Sequence, residues 1–299
     1  MKMINSMALV GLFAFTNGIA TAKNTYGVIP EVAGRYEIND SIGDDNRSVI
    51  IRIPKNAKKK MPLILLLHGW TGFAGDIERY SGFGPMSDKE GFALVIPQGL
   101  GQPTGWNTGF MNLGKAGIDD LTYVTDLLDR CIKEMPIDKS RVYIAGHSNG
   151  AMMANALGTR LAGKVAAIGA FAGVIGIGDI TGKNVIPKPT KPISVLHIHG
   201  REDNVVAYDK SSSAMLKGIS APRAIDWWAE SLGIKGPAVV TNNDRVETTT
   251  YRNRDAEVCL ISISGWQHSW PTNGLKMGNY TSPIDGATEM WKFFQRHKL

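Results

Sequence analysis

The sequence lacks the features that mark several large classes of protein. It contains only two cysteines in 299 residues, Cys131 and Cys259, too few for a disulfide framework and without the spacing of a zinc site. One disulfide between them is possible in an oxidising compartment. Both cysteines lie in apolar runs, however, which favours two buried free thiols. No other group of side chains has the spacing of metal ligands, so no metal is expected.

Long apolar runs are also missing. The run Met7–Phe15 is well short of the roughly 20 residues that span a bilayer. Lys2 precedes it and Ala20–Ala22 follows it, and this small-x-small pattern is typical of a signal peptidase site. We therefore expect residues 1–22 to be a signal peptide and the protein to be secreted or periplasmic, without a stable membrane anchor. A retained anchor is the alternative.

Neither sign of charge dominates the sequence strongly. There are 33 basic and 27 acidic side chains, for a formal net charge of +6. The densest basic run, Lys58–Lys60, lies between two predicted strands, as is typical of a solvated turn. We therefore expect no nucleic-acid partner. The sequence leaves the oligomeric state open.

Apolar runs rich in β-branched residues recur along the chain and predict strands. They lie at Val49–Ile53, Leu63–Leu67, Phe92–Ile96, Val142–Ala145, Val165–Ala170, Ile193–Ile198 and Val258–Ile263. Helical patterns separate them, at Leu121–Ile132, Ala151–Leu161, Pro222–Leu232 and Ile284–Phe294. This alternation predicts an α/β fold with a mainly parallel central sheet and helices on both faces. No repeat or composition break divides residues 23–299, so we expect a single domain there.

Two pairs of predicted strands are too close in sequence for a helical crossover. Tyr36–Asn39 and Val49–Ile53 flank a short turn, which predicts an antiparallel hairpin at the N-terminal end of the sheet. Val246–Tyr251 and Val258–Ile263 predict a second hairpin near the end of the chain.

A Gly-x-Ser-x-Gly motif at Gly146–Gly150 lies between a predicted strand and a predicted helix. In that context the serine occupies a sharp, strained turn, and the flanking glycines avoid collisions with the neighbouring strand and helix. The turn would lift the Ser148 hydroxyl above the edge of the sheet, so Ser148 is the candidate nucleophile. The motif alone is common, and an ordinary glycine-rich turn is the alternative.

A serine nucleophile needs a base to accept its proton and an acid to orient that base. Asp203 follows the strand Ile193–Ile198 and is the candidate acid, with Glu202 as the second choice. His268 follows the strand Val258–Ile263 and is the candidate base. The order serine, aspartate, histidine is the one used by α/β-hydrolases. The remaining histidines fit the base role less well by position: His68, His147, His197, His199 and His297.

The oxyanion formed by attack on a carbonyl also needs hydrogen-bond donors. The backbone N–H of Asn149 is one candidate, and His68–Gly72 follows a strand at the usual place of the second. Within it we favour the Trp70 N–H over that of Thr71. Trp70 and three more tryptophans lie on loops predicted to surround Ser148, where they could bind substrate or anchor the loops by packing: Trp106, Trp266 and Trp270.

From about Tyr36 onward, the chain resembles the secreted polyhydroxybutyrate depolymerase and feruloyl esterase family of α/β-hydrolases. The matching segments are Pro62–Gly69, Gly91–Phe92, Pro97–Gly99, Trp106–Asn107, Asp119–Asp120, Asp138 with Arg141–Tyr143, Gly146–Met153, His199–Gly200 with Asp203, His268–Pro271, and Trp291 with Phe293–Phe294. Two positions depart from the family pattern: Gly265–Gln267 replaces a glycine-rich approach to the histidine, and Ala151 stands where a second glycine is frequent. These departures bear on substrate choice more than on catalysis.

The resemblance implies an α/β-hydrolase fold and hydrolysis of carboxylic esters through an acyl-enzyme, without a cofactor. The implied partner is an ester substrate, either a polyester or an acylated plant polysaccharide. A serine peptidase or an acyltransferase with the same machinery is an alternative, and a non-catalytic binding protein of this fold is another.

Overall fold

The fold is built on one ten-stranded sheet, seen in a computed structural model that describes residues 25–42, 44–57, 59–178, 180–210 and 214–299. The strand order is β1-β2-β4-β3-β5-β6-β7-β10-β9-β8. The strands are β1 Gly34–Ile42, β2 Asp45–Ile53, β3 Met61–Leu67, β4 Ala93–Pro97, β5 Ile137–His147, β6 Ala167–Phe171, β7 Ser194–Gly200, β8 Val239–Asn243, β9 Val246–Arg252 and β10 Glu257–Ile263. A separate two-stranded ribbon pairs β11 Lys276–Met277 with β12 Tyr280–Thr281.

The centre of the sheet is parallel and both of its edges are antiparallel. Strands β4, β3, β5, β6, β7 and β10 run parallel to one another. The β1–β2 and β9–β10 pairs are the two predicted hairpins, and both are antiparallel. The prediction of a mainly parallel sheet with an N-terminal hairpin is therefore confirmed.

Within the described residues, six helices cover the two faces of the sheet. They are α1 Ala74–Ser81, α2 Phe83–Glu90, α3 Asp120–Glu134, α4 Asn149–Arg160, α5 Ala221–Ser231 and α6 Gly286–Gln295. Side chains of α3, α4 and α5 join one buried cluster, and those of α1, α2 and α6 join the other. Alternate residues of β3 enter opposite clusters, because successive strand side chains point to opposite faces. Because β3 is covered on both faces, it is apolar along its whole length.

Local chemistry explains where the predicted helices begin. The Asp119 side chain accepts a hydrogen bond from the Thr122 N–H and caps α3. Asp285 caps α6 in the same way through Thr288. Pro222 lies in the first turn of α5, where a missing N–H costs nothing.

The sequence patterns did not predict α1, α2 or β8. Helices α1 and α2 have only eight residues each, and Gly82 joins them with a φ of 81°. Strand β8 lies at the sheet edge and is exposed throughout, so no alternation of apolar residues marks it.

Three further predictions concern the N-terminal segment and the basic run, the cysteines, and membrane anchoring. The predicted signal peptide, residues 1–22, and Lys58 of the basic run lie outside the described residues. Cys131 and Cys259 are both buried and free, as favoured from their apolar surroundings. Among the described residues, no helix combines the length and apolar character needed to cross a bilayer.

Candidate active site

Ser148 occupies a strained turn between β5 and α4. Its φ is 55° and its ψ −121°, a conformation that a non-glycine residue adopts only under tertiary constraint. The flanking glycines are required by space: a Cβ at Gly146 would lie 2.2 Å from the Gly150 oxygen, and one at Gly150 would lie 2.2 Å from the Leu67 oxygen. The turn therefore places the Ser148 hydroxyl at the carboxyl end of the parallel strands.

Three residues that are distant in sequence meet at this turn. The His268 Nε2 atom lies 2.9 Å from the Ser148 Oγ, and its Nδ1 lies 2.7 Å from the Asp203 Oδ2. Because ionised Asp203 only accepts hydrogen bonds, His268 carries its proton on Nδ1 and leaves Nε2 free to accept the serine proton. The geometry is that of a base placed between a hydroxyl and an orienting carboxylate.

Asp203 is buried and surrounded by donors. Its Oδ1 accepts hydrogen bonds from the Val205 and Val206 N–H groups, each at 2.8 Å. Its Oδ2 faces His268 and also lies 3.3 Å from the Nε2 of His199. Burial alone would raise the pKa of Asp203, but the contacts with His199 and His268 outweigh it and hold that pKa well below its usual range.

The alternative acid, Glu202, points elsewhere. Its Oε2 accepts a hydrogen bond from the Gly265 N–H in the loop after β10. The structure therefore brings Asp203, and not Glu202, against His268.

His147 holds the main chain of His268 in place. Its Nε2 lies 3.1 Å from the His268 carbonyl oxygen, and its Nδ1 lies 2.9 Å from the Tyr80 hydroxyl. Since a carbonyl only accepts, Nε2 donates and Nδ1 accepts from Tyr80, which requires a neutral ring. Burial, and secondarily the charge of His268, lowers the pKa of His147 to about 3.

His68 organises the loop predicted to bind the oxyanion. Its Nδ1 lies 2.8 Å from the Gly69 oxygen, and its Nε2 accepts a hydrogen bond of 2.8 Å from the Gly99 N–H. Burial lowers the pKa of His68 to about 4, so the ring is neutral in this arrangement. A Cβ at Gly69 would lie 3.2 Å from that of Ser148, which places this loop directly beside the nucleophile.

The backbone contacts of this loop distinguish the two predicted donors. The Thr71 N–H already donates to the Thr104 oxygen at 2.8 Å. In the part of the chain that the structure describes, no acceptor pairs with the N–H of Trp70 or of Asn149. Trp70 and Asn149 therefore retain the free amides that an oxyanion would need.

Hydrogen bonds hold the loop that carries Trp106 on two sides. The Asn149 side chain accepts from the Trp106 N–H at 2.7 Å and donates to the Trp106 oxygen at 3.2 Å. The adjacent Asn107 N–H donates to Asp120, which forms a fully buried ion pair of 2.6 Å with Arg47. These bonds connect the start of α4 to the sheet through the loop.

The predicted substrate-binding tryptophans are buried. Trp106 and Trp266 are both 0% exposed, and their indole N–H groups donate to the His68 and Ser269 oxygens. A ring with no exposed surface cannot touch a bound molecule, so this packing contradicts the predicted substrate contact for these two. Trp270 is 3% exposed and packs against Phe83 and other aromatic rings, although one edge reaches a cavity. Trp70, predicted to act through its backbone, exposes 46% of its surface.

Sequence reasoning missed the supporting histidines. From their positions in the sequence, His68, His147 and His199 fit the base role less well than His268, and no supporting role in the site was predicted for them. The available signal was that each lies within four residues of a candidate site residue at a strand end. No group of three metal-ligating side chains was found among the described residues.

We expect the stability of the protein to fall as the pH drops from about 6.5 to about 4. His68 and His147 have pKa values of about 4 and about 3 in the folded state, against about 6.5 in an unfolded chain. Below pH 6.5 the unfolded chain therefore binds more protons than the folded protein does. Each ring then lowers the free energy of unfolding by about 1.4 kcal/mol for every unit by which the pH drops. Urea unfolding at about pH 8, 6.5 and 5 measures this slope.

The His147→Gln variant supplies the control, because its amide cannot titrate in this range and should reduce the slope by about 1.4 kcal/mol per pH unit. NMR titration of the wild-type ring protons checks the same point without a variant. Rings that titrate near pH 6.5 in the folded protein would contradict the expectation.

Comparisons with known proteins show what this chain is similar to. A family model described as "Esterase PHB depolymerase" matches residues 48–212. The bifunctional acetylxylan esterase/xylanase of Neocallimastix patriciarum is 30% identical over 166 residues, covering 55% of this chain and 22% of that protein. Feruloyl esterase B of Piromyces equi is 27% identical over 233 residues, covering 75% and 42%. The chain thus spans less than half the length of these two relatives.

A solved structure shares the fold. The acetyl xylan esterase from Aspergillus awamori aligns with a TM-score of 0.61 and 17% identity, covering 83% of this chain and 94% of that one. The prediction of an α/β-hydrolase fold is therefore confirmed.

Proposed function

Because this chain belongs to the PHB depolymerase esterase family, we propose that it is a secreted serine esterase that hydrolyses carboxylic esters through an acyl-enzyme. The observation that carries the proposal is the pair of contacts made by His268, at 2.9 Å to the Ser148 hydroxyl and 2.7 Å to the Asp203 carboxylate. A buried carboxylate, a correctly protonated imidazole and a hydroxyl on a strained turn together form the machinery for acyl transfer.

The first half of the reaction forms the acyl-enzyme. His268 Nε2 removes the hydroxyl proton as the Ser148 oxygen bonds to the ester carbonyl carbon. The N–H groups of Asn149 and Trp70 bind the resulting oxyanion, and each such donor typically contributes about 2.7 to 4 kcal/mol. The imidazolium then gives its proton to the alkoxide oxygen as the carbon–oxygen bond breaks, so that a neutral alcohol leaves.

The second half releases the acid by the same steps. Water takes the place of the alcohol, and His268 removes one of its protons as the oxygen attacks the acyl carbon. The Ser148 oxygen then leaves with the proton that His268 returns. Asp203 stays ionised throughout and stabilises the imidazolium in both halves.

We infer the substrate class from the names of the relatives and of the family. Two relatives are named as an acetylxylan esterase/xylanase and a feruloyl esterase, and the family is named for polyhydroxybutyrate. We therefore assign an acylated plant polysaccharide or a hydroxyalkanoate polyester as the substrate class. Cleavage of a signal peptide at residues 1–22 would deliver the enzyme to such external polymers.

Purified protein is expected to release p-nitrophenol from p-nitrophenyl acetate, because an activated leaving group requires only the catalytic groups. Acid release from feruloylated arabinoxylan, acetylated xylan and polyhydroxybutyrate film would then identify the polymer. A peptide ester and an added alcohol acceptor test for peptidase and acyltransferase activity. Tight binding of these esters without turnover would contradict the proposal and favour a binding protein.

A further inference from the structure

A second histidine, His199, contacts the same carboxylate oxygen as His268. The His199 Nε2 atom lies 3.3 Å from the Asp203 Oδ2 and 3.0 Å from the Val206 carbonyl oxygen. An ionised carboxylate and a carbonyl can only accept hydrogen bonds, so His199 carries a proton on Nε2 and shares it between these two oxygens. The Asp203 Oδ2 therefore receives two N–H groups, one from His268 at 2.7 Å and one from His199.

The neighbouring ring of His197 supports this contact from within β7. Its Nε2 lies 3.0 Å from the His199 Nδ1, and the two rings stack with their centroids 5.3 Å apart. Burial holds the pKa of His197 well below its usual range, so this ring is neutral. A neutral His199 with its proton on Nε2 accepts at Nδ1, and His197 is then the donor. A chain of hydrogen bonds thus runs from His197 through His199 to Asp203.

Other ionisable groups face this chain from the surrounding loops. The Tyr208 ring packs edge-on against His199, with centroids 5.7 Å apart, and burial raises the pKa of Tyr208. Arg201 lies over the Tyr208 ring and pairs with Glu247 at 2.6 Å. The ring of His147 lies 5.2 Å from that of the catalytic base and is neutral, as described above. Tyr208 and His147 therefore both stay uncharged between about pH 5 and pH 8.

We propose that His199 is a positioning residue that limits how strongly Asp203 stabilises the protonated form of His268, and so extends the activity to lower pH. The inference rests on the proposed esterase function and adds a residue to its machinery. A donor on Oδ2 offsets part of the negative charge that faces the His268 Nδ1. His268 consequently releases its proton at a lower pH than it would beside Asp203 alone, and more of it is free to accept the Ser148 proton.

The contacts of the other carboxylate oxygen indicate that this effect is electrostatic. The Val205 and Val206 N–H groups both hold the Asp203 Oδ1 at 2.8 Å, and they do not depend on His199. Without His199 the carboxylate should keep its orientation but present more negative charge at Oδ2. We therefore expect the pH dependence of the reaction to change more than its rate at high pH.

His199→Met is the informative variant, because it removes the donor and keeps a long side chain in the buried position. We expect the acid limb of the pH profile of kcat/KM for p-nitrophenyl acetate to move up by about half a pH unit. The plateau at high pH should stay within about threefold of the wild type. His199→Gln keeps an N–H near the position of Nε2 and should restore the wild-type limb.

His197→Met is the matched control. It removes an equally buried ring from the same strand, but His197 contacts His199 and not the carboxylate. The acid limb of this variant should not move up. NMR titration of the His268 ring protons measures the same shift in each protein without any ester.

Each result has a definite meaning. An acid limb that stays in place in a folded His199→Met protein overturns the proposal, and so does an equal rise in His197→Met. In the wild type, the ring nitrogen chemical shifts of His199 should show its proton on Nε2; a proton on Nδ1 alone would overturn the proposal without a variant. If the wild type hydrolyses no ester, the proposed function is contradicted, while the NMR titration still tests the role of His199.

Discussion

Replacing Ser148 with alanine is expected to lower kcat for p-nitrophenyl acetate by about 10⁶-fold, leaving only the contribution of the oxyanion amides and of binding. The hydroxyl is the atom that attacks the carbonyl, and His268 cannot substitute for it from the same position. The backbone at residue 148 has a φ of 55°, which alanine tolerates no better than serine, so the turn itself should persist.

Ser264→Ala is the matched control for this variant. Ser264 lies in the loop after β10, and its N–H donates to the Arg245 oxygen. The kcat of the Ser264→Ala variant should remain close to that of the wild type. Both this variant and Ser148→Ala should give the circular dichroism spectrum of the wild type. Substantial turnover by a folded Ser148→Ala protein would eliminate the proposed nucleophile.

Asp203→Asn is expected to lower kcat by about 10⁴-fold, because the substitution reverses the protonation of His268. The Val205 and Val206 N–H groups both donate to Oδ1, so the asparagine oxygen takes that position. Its NH₂ group then faces His268 Nδ1 and donates to it. His268 must carry its proton on Nε2 and can no longer accept one from Ser148.

The neighbouring carboxylate provides the control. Glu202→Gln removes one charge from the same loop but leaves Asp203 in contact with His268. We expect kcat to change no more than about threefold, as for a surface charge screened by solvent. Equal losses in the two variants would contradict the assignment of Asp203 as the orienting acid.

The sequence was sufficient to predict the fold and to select three residues that the structure brings together, Ser148, Asp203 and His268. Strand–turn–helix patterns place side chains at the carboxyl ends of parallel strands, and those ends share one edge of the sheet. Distance along the chain therefore does not show which side chains meet at this edge, whereas position relative to a strand end does.

The supporting contacts could not be predicted from the same patterns. The pairing of His147 with the His268 carbonyl depends on how a loop after β10 folds back over β5, and no periodicity encodes that path. Burial of Trp106 and Trp266 is decided in the same way, by which loop lies above the ring. A tryptophan on a loop near a site has both an apolar body and a polar N–H, so sequence alone left both roles open.

The most direct test of the account is detection of the covalent intermediate. Protein mixed with excess p-nitrophenyl acetate, quenched in acid within the first turnover and digested, should contain one acetyl group on the peptide that carries Ser148. A burst of p-nitrophenol equal to the enzyme concentration should accompany it when deacylation is the slower step. An acetyl group on another side chain, with Ser148 unmodified during rapid turnover, would contradict the central claim.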